Sequence, residues 1–172
     1  MNSLNLKTYI SQALEAKGLS LFWTENLTLL LLFILILLIG WVIFWVSRKI
    51  IVGVFNRVSR RTKTSFDDLL LQNKVPRLLS YIPLLFFLYA YIPDLFESHY
   101  EFLFNGSRVI LETLFVIFFI SLVRGVLKTI NDYLKTVPAL KDKPLDSYLQ
   151  VVMIFLWFMG GILILSILTG KD

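Results

Sequence analysis

LTLLLLFILILLIGWVIFWV, residues 27–46, is a run of twenty residues without a charge. A helix of that length rises about 30 Å, the thickness of a bilayer's hydrocarbon layer. Further apolar runs follow at 78–96, 109–127 and 148–168. The chain therefore reads as an all-α membrane protein: a polar, extracytoplasmic tail at 1–26, then a four-helix transmembrane domain at 27–172 arranged as two helical hairpins. Composition agrees. Hydrophobic residues make up 57% of the 172 and mean hydropathy is +0.75, beyond the usual range of water-soluble domains. The charged residues, 17% of the total, gather between the apolar runs instead of recurring along a solvent-facing helix face.

Leaving the first run, the chain enters RKIIVGVFNRVSRRTKTSFDDLLLQNKVPR, residues 48–77. This stretch carries the basic residues Arg48, Lys49, Arg57, Arg60, Arg61, Lys63, Lys74 and Arg77 against only Asp67 and Asp68. Ile50, Ile51, Val54, Phe55 and Val58 fall on one arc of a helix, which predicts an amphipathic extension of the first span along the cytoplasmic headgroups. Ser65, followed by Asp67 and Asp68, reads as a capping turn that starts a second helix near Phe66. Pro76 should bend the entry into the second run, and Pro83 should kink it.

Toward the far end of that run and just past it, aromatic residues (Phe86, Phe87, Tyr89, Tyr91, Phe96, then Tyr100) have the pattern of an interfacial belt, and Asn105-Gly106 reads as a turn. Glu112 and Arg124, near the two ends of the third run, can snorkel to headgroups. That helix should continue past Tyr133 and end near Pro138. Gly160-Gly161, inside the fourth run, either admits a neighbouring helix closely or makes a soft point, and so is a hinge candidate. In the tail, Leu6, Tyr9, Ile10, Ala13 and Leu14 form the apolar face of a short helix, with Phe22 and Trp23 as interfacial anchors.

Orientation follows from the cations. Arg48 to Arg77 together with Arg124, Lys128, Lys135, Lys141 and Lys143 place thirteen on one side, against Lys7, Lys17, Arg108 and Lys171 on the other. The basic connectors are then cytoplasmic and both termini extracytoplasmic. Phe66-Asp67-Asp68-Leu69-Leu70 and Leu145-Asp146-Ser147-Tyr148-Leu149 each open an outward-going helix after a basic connector. Either a helical hairpin was duplicated, or any cytoplasmic helix start favours an acid in its first turn.

The net charge of +5 is matched to anionic lipid headgroups rather than nucleic acid, because the cations flank apolar runs and belong to no nucleic-acid motif. With no cysteine and a single histidine, His99, thiolate chemistry is absent and a metal site has little to draw on. No nucleophile–base pair or phosphate loop is evident. The chain is read as no enzyme, with no cofactor, metal or small-molecule substrate. Arg57, Arg60 and Arg61 lie outside the apolar runs, which argues against a voltage sensor.

Arg60-Arg61-Thr62-Lys63-Thr64-Ser65-Phe66-Asp67-Asp68-Leu69-Leu70 resembles the segment of small-conductance mechanosensitive channels in which a basic, threonine-containing connector precedes an Asp-Asp-Leu-Leu helix start. Lys143-Pro144-Leu145-Asp146-Ser147-Tyr148-Leu149 looks like the entry to the last peripheral helix of the longer, five-helix bacterial branch. The resemblance spans residues 27–172. It implies a multi-pass protein of the bacterial inner membrane, a homo-oligomer (a heptamer in that family) opened by bilayer tension. These four helices would be its peripheral, lipid-facing sensor, without the pore helix and cytoplasmic domain that follow in the family. The alternative is a four-helix membrane scaffold or assembly partner without transport activity.

Overall fold

A computed structural model describes residues 3–16, 20–61, 65–96, 100–138, 140 and 143–170. Among these the regular structure is entirely helical: α1 (Ser3–Glu15), α2 (Leu21–Ser59), α3 (Ser65–Gln72), α4 (Val75–Leu79), α5 (Ile82–Phe96), α6 (Glu101–Leu134) and α7 (Leu145–Thr169). Four segments are long and apolar enough to cross a membrane: α2, α4 with α5, α6 and α7. Helices suit that environment because each backbone N–H finds its acceptor within the same segment.

Lengths exceed what the apolar runs require. The 39 residues of α2 extend for nearly 60 Å at 1.5 Å per residue, about twice the hydrocarbon layer. The helix runs unbroken from Leu21 through the apolar run to Ser59, where the Arg60 N–H donates to the Asn56 carbonyl and the Arg61 N–H to the Val58 carbonyl. Along its basic half, Ile51 and Phe55 are half-buried, while Ile50, Val54 and Val58 are exposed.

The second span has one break at its entry and one inside it. Asn73 and Lys74 make a turn in which Lys74 adopts φ +60°, a left-handed conformation that crowds a Cβ. The interruption expected at Pro83 falls just ahead of it. Pro83 has no N–H to offer the Leu79 carbonyl, Tyr81 N–H turns to Leu78, and α5 starts with Leu85 N–H on Tyr81. Pro83 thus occupies the first turn of α5, where a missing N–H is tolerated. Pro76 sits likewise at the start of α4. Lys74→Val is expected to lower stability by about 1–2 kcal/mol, because a β-branched side chain is the least tolerant of positive φ, whereas Lys74→Gly should not. Thermal melts of the two variants in detergent check this, and equal melting points would show that the turn is relaxed.

Asn105 and Gly106, read from sequence as a turn, lie inside α6, which starts at Glu101. A single glycine among helix-compatible neighbours costs only about 1 kcal/mol, too little to break a 34-residue helix.

Packing follows chain order. α5 lies against both α2 and α6, and α7 packs substantially on α6, so the spans form a row α2–α5–α6–α7. α1 packs on α2, where Ile10 joins Leu29, Leu32 and Leu95 in the most buried apolar cluster. Tyr9 and Ala13, on the expected apolar face of α1, are exposed. Small residues set the close approaches. A Cβ on Gly40 of α2 would stand 3.0 Å from Leu84 Cδ1 of α5. One on Gly125 of α6 would stand 3.2 Å from Val75 Cγ2 of α4. Hydroxyls inside the row bond their own helices: Thr28 donates to Thr24 O at 2.7 Å and Thr129 to Gly125 O at 2.9 Å. Much of the remaining apolar surface faces outward, including Trp41, Trp45, Phe119, Phe155 and Phe158, as lipid contact requires.

Candidate functional site: the basic end of the row

α3 and α4 lie between the basic ends of α2 and α6, packing on both. Polar bridges then link the elements one after another. Ser59 Oγ of α2 donates to Asp68 Oδ1 of α3. Asn73 Nδ2, in the α3–α4 turn, donates to Asp132 Oδ2 of α6 at 2.9 Å. Asn131 Nδ2 of α6 donates to Asp146 Oδ1 of α7 at 2.7 Å, and Lys135 Nζ reaches both oxygens of Asp146 at 2.6 and 2.7 Å. Phe66 of α3 meets Tyr133 of α6 edge to face, with ring centroids 5.4 Å apart.

These bridges have a local cause. Asn131 and Asp132 end a helix that projects beyond its apolar run, so adjacent side chains diverge by about 100° and reach α7 and the α3–α4 turn separately. Asp146 stands two residues ahead of the apolar run that begins at Tyr148. The Lys135 ammonium, and after it the Asn131 amide, hold its carboxyl below the ordinary carboxylate range. A lowered folded value means that the bridge is present at neutral pH and is lost only as pH falls through that depressed value.

The basic residues do not converge on one point. Arg48 and Lys49 lie on a stripe of α2 with Trp45, and Lys49 Nζ sits 3.6 Å from the Trp45 ring centroid. Arg57, Arg60 and Arg61 are exposed around the end of α2, Lys74 is exposed in the positive-φ turn, and Arg77 is exposed in the last turn of α4. Lys63 lies outside the described residues, as do His99, Lys141 and Asp142. Ser65 opens α3 and Asp67 and Asp68 occupy its first turn; the bond from Ser59 adds a tie to α2.

Of the two hinge candidates in α7, Gly160 is buried and its Cβ would fall 2.2 Å from Ile120 Cδ1, while a Cβ on Gly161 would meet nothing within 4 Å. α7 is continuous through both. Close approach is therefore the role the structure places at Gly160. Among the described residues no cluster of three or more metal-ligating side chains occurs.

At the opposite end, Tyr89 Oη donates to Glu112 Oε1 at 3.2 Å, Arg108 Nη2 donates to Tyr89 Oη at 3.4 Å, and Arg108 Nε lies 4.0 Å from Glu112. This trio ties α5 to α6 and shares the charge of Glu112 at the edge of the apolar run.

Sequence reasoning missed Asn73, Asn131 and the bridging roles of Asp132, Lys135 and Asp146, because a bridge between helices has no periodicity along either. The available signal was the clustering of Asn131, Asp132 and Lys135 after an apolar run that should already have ended. No protein-family model, curated protein or solved structure matches the chain.

Proposed function

We propose that this chain is the peripheral, tension-responsive membrane region of a mechanosensitive ion channel of the small-conductance type. The observation that carries the reading is the open row of helices. Each span is covered by protein on part of its surface only, and α7, at one edge, rests mainly on α6. Tension does work only through a difference in area or lipid contact between two states, and a row can change its area by tilting or parting its members more readily than a closed bundle can. The basic end supports the same reading, since its bridges join α2, α3, α6 and α7 in sequence and would pass a tilt of one span to the next. The Arg60–Leu70 and Lys143–Leu149 resemblances point to the same family.

In this reading the row consists of two antiparallel hairpins, α2 with α5 and α6 with α7. The basic half of α2 runs along cytoplasmic headgroups of the bacterial inner membrane, both termini of this chain are extracytoplasmic, and several copies surround one pore.

The test is electrical. Expressing the complete gene product in spheroplasts without tension-gated channels of their own, then applying suction to excised patches, is expected to produce tension-activated current. Replacing Pro83, Gly160 and Gly161 by alanine is expected to shift the tension at which it appears. Patches with and without the protein that behave alike would overturn the channel reading and favour the scaffold. Current that appears at unchanged tension in the variant would remove these residues from the mechanism.

A further inference from the structure

We propose that α2 carries a discrete binding site for the headgroup of an anionic phospholipid, formed by Trp45, Arg48, Lys49, Val52, Gly53 and Asn56. These residues follow helical spacing, so they share one stripe, and they line a groove of about 360 Å³. Trp45, Lys49 and Asn56 point away from the face that packs on the neighbouring helices, where Gly40 meets Leu84 and the Phe44 ring meets Tyr81 at 4.6 Å, while Arg48, one turn beyond Phe44, stands exposed at the edge of that face.

Three features identify the occupant. The first is charge: Arg48 and Lys49 present cations, Asn56 a donor, and no acidic residue occurs between Glu25 and Asp67. The second is depth. The groove begins at Trp45, the penultimate residue of the apolar run, so its mouth adjoins the exposed, lipid-facing Trp41 and Val42. Tryptophan favours that boundary, and its ring fixes the Lys49 ammonium by cation–π contact. The third is room. Gly53 leaves open space where a side chain would stand. An acyl chain continuing along Trp41 has no counterpart in a free anion, so a lipid is the source that fits both ends. The site rests on the membrane reading alone and stands or falls independently of channel activity.

The experiment reconstitutes the full chain in vesicles of equimolar phosphatidylcholine and phosphatidylglycerol, extracts it in mild detergent and counts retained lipids by native mass spectrometry. Wild type is expected to retain phosphatidylglycerol preferentially. Arg48→Gln with Lys49→Gln should weaken that retention by roughly tenfold or more, the effect of removing two cations beside an anionic headgroup. Gly53→Leu keeps every charge, fills only open space and should also lower retention. Arg57→Gln with Arg61→Gln changes the same charge outside the groove and should leave it intact, which also separates loss of the site from loss of the fold. Unchanged retention in the Arg48/Lys49 pair, or an equal loss in the Arg57/Arg61 pair, would overturn the site in favour of diffuse attraction. Unchanged retention in Gly53→Leu would overturn the groove. Displacement of the retained lipid by inorganic phosphate would overturn the lipid assignment.

Discussion

Gly160→Leu is expected to part α7 from α6. The Cβ alone would lie 2.2 Å from Ile120 Cδ1, 3.4 Å from Ile120 Cγ1 and 3.6 Å from Val116 Cγ1. Alanine can be absorbed by rotating the end of Ile120. Leucine cannot, because Ile120 is itself only 3% exposed and has nowhere to withdraw. Overpacking of this kind costs about 1–3 kcal/mol, occasionally more, and in a membrane no hydrophobic term compensates, since lipid is as apolar as the neighbouring helix. The effect should concentrate on α7, whose extensive packing among the described residues is with α6. Gly161→Leu is the paired control: one residue along, it points into open space and should change stability by no more than about 0.5 kcal/mol. The chain has no native cysteine, so cysteines at Phe119 and Leu163, which line the crevice between these helices, can be bridged by a short bifunctional reagent. Gly160→Leu should abolish the cross-link and lower the melting point, and Gly161→Leu should leave both. Equal behaviour of the two variants would mean that the pair acts as a flexible point and not through packing.

The second large effect is expected at the basic end. Asp132→Ala removes the acceptor of the Asn73 amide, 2.9 Å away and partly buried. A hydrogen bond to a charged group in such a place is worth about 1–2 kcal/mol, near the lower part of its range because neither residue is sealed from water. This bond holds the α3–α4 turn against α6, beside the contact of Gly125 with Val75, Leu78 and the Asn73 carbonyl. Its loss should therefore loosen the re-entry of the second span as well as lower the melting point. A double-mutant cycle with Asn73→Ala is expected to show a coupling of about 1 kcal/mol. Strict additivity would show that the two side chains act separately.

Both experiments probe features that differ in how they are written into the chain. Gly160 was visible as half of a glycine pair inside an apolar run, with two meanings that local spacing cannot separate. Gly40 and Gly125 carry the same close-approach role but stand alone, so nothing along the chain distinguishes them from glycines such as Gly53 and Gly106, which meet no neighbour within 4 Å. Asp132 is, along the chain, only one of several polar residues that follow the third apolar run. Its partner, Asn73, is 59 residues away, and neither residue is unusual where it stands.

Hydrophobic periodicity and charge were enough to specify four membrane-length helices and the polar extension of the third, because burial in lipid acts on each segment independently of its neighbours. They also located a helix start beside Ser65, with Asp67 and Asp68 in its first turn, because the pull of a helix dipole on an acid is felt within one turn. The row α2–α5–α6–α7, the placement of α3 and α4 between α2 and α6, and the chain of bridges from Ser59 to Asp146 depended on tertiary structure. In a bilayer every apolar face is equally content against lipid or helix, so the choice of neighbour falls to steric fit at a few glycines and to hydrogen bonds between residues far apart in sequence. Those contacts exist only once the helices stand side by side.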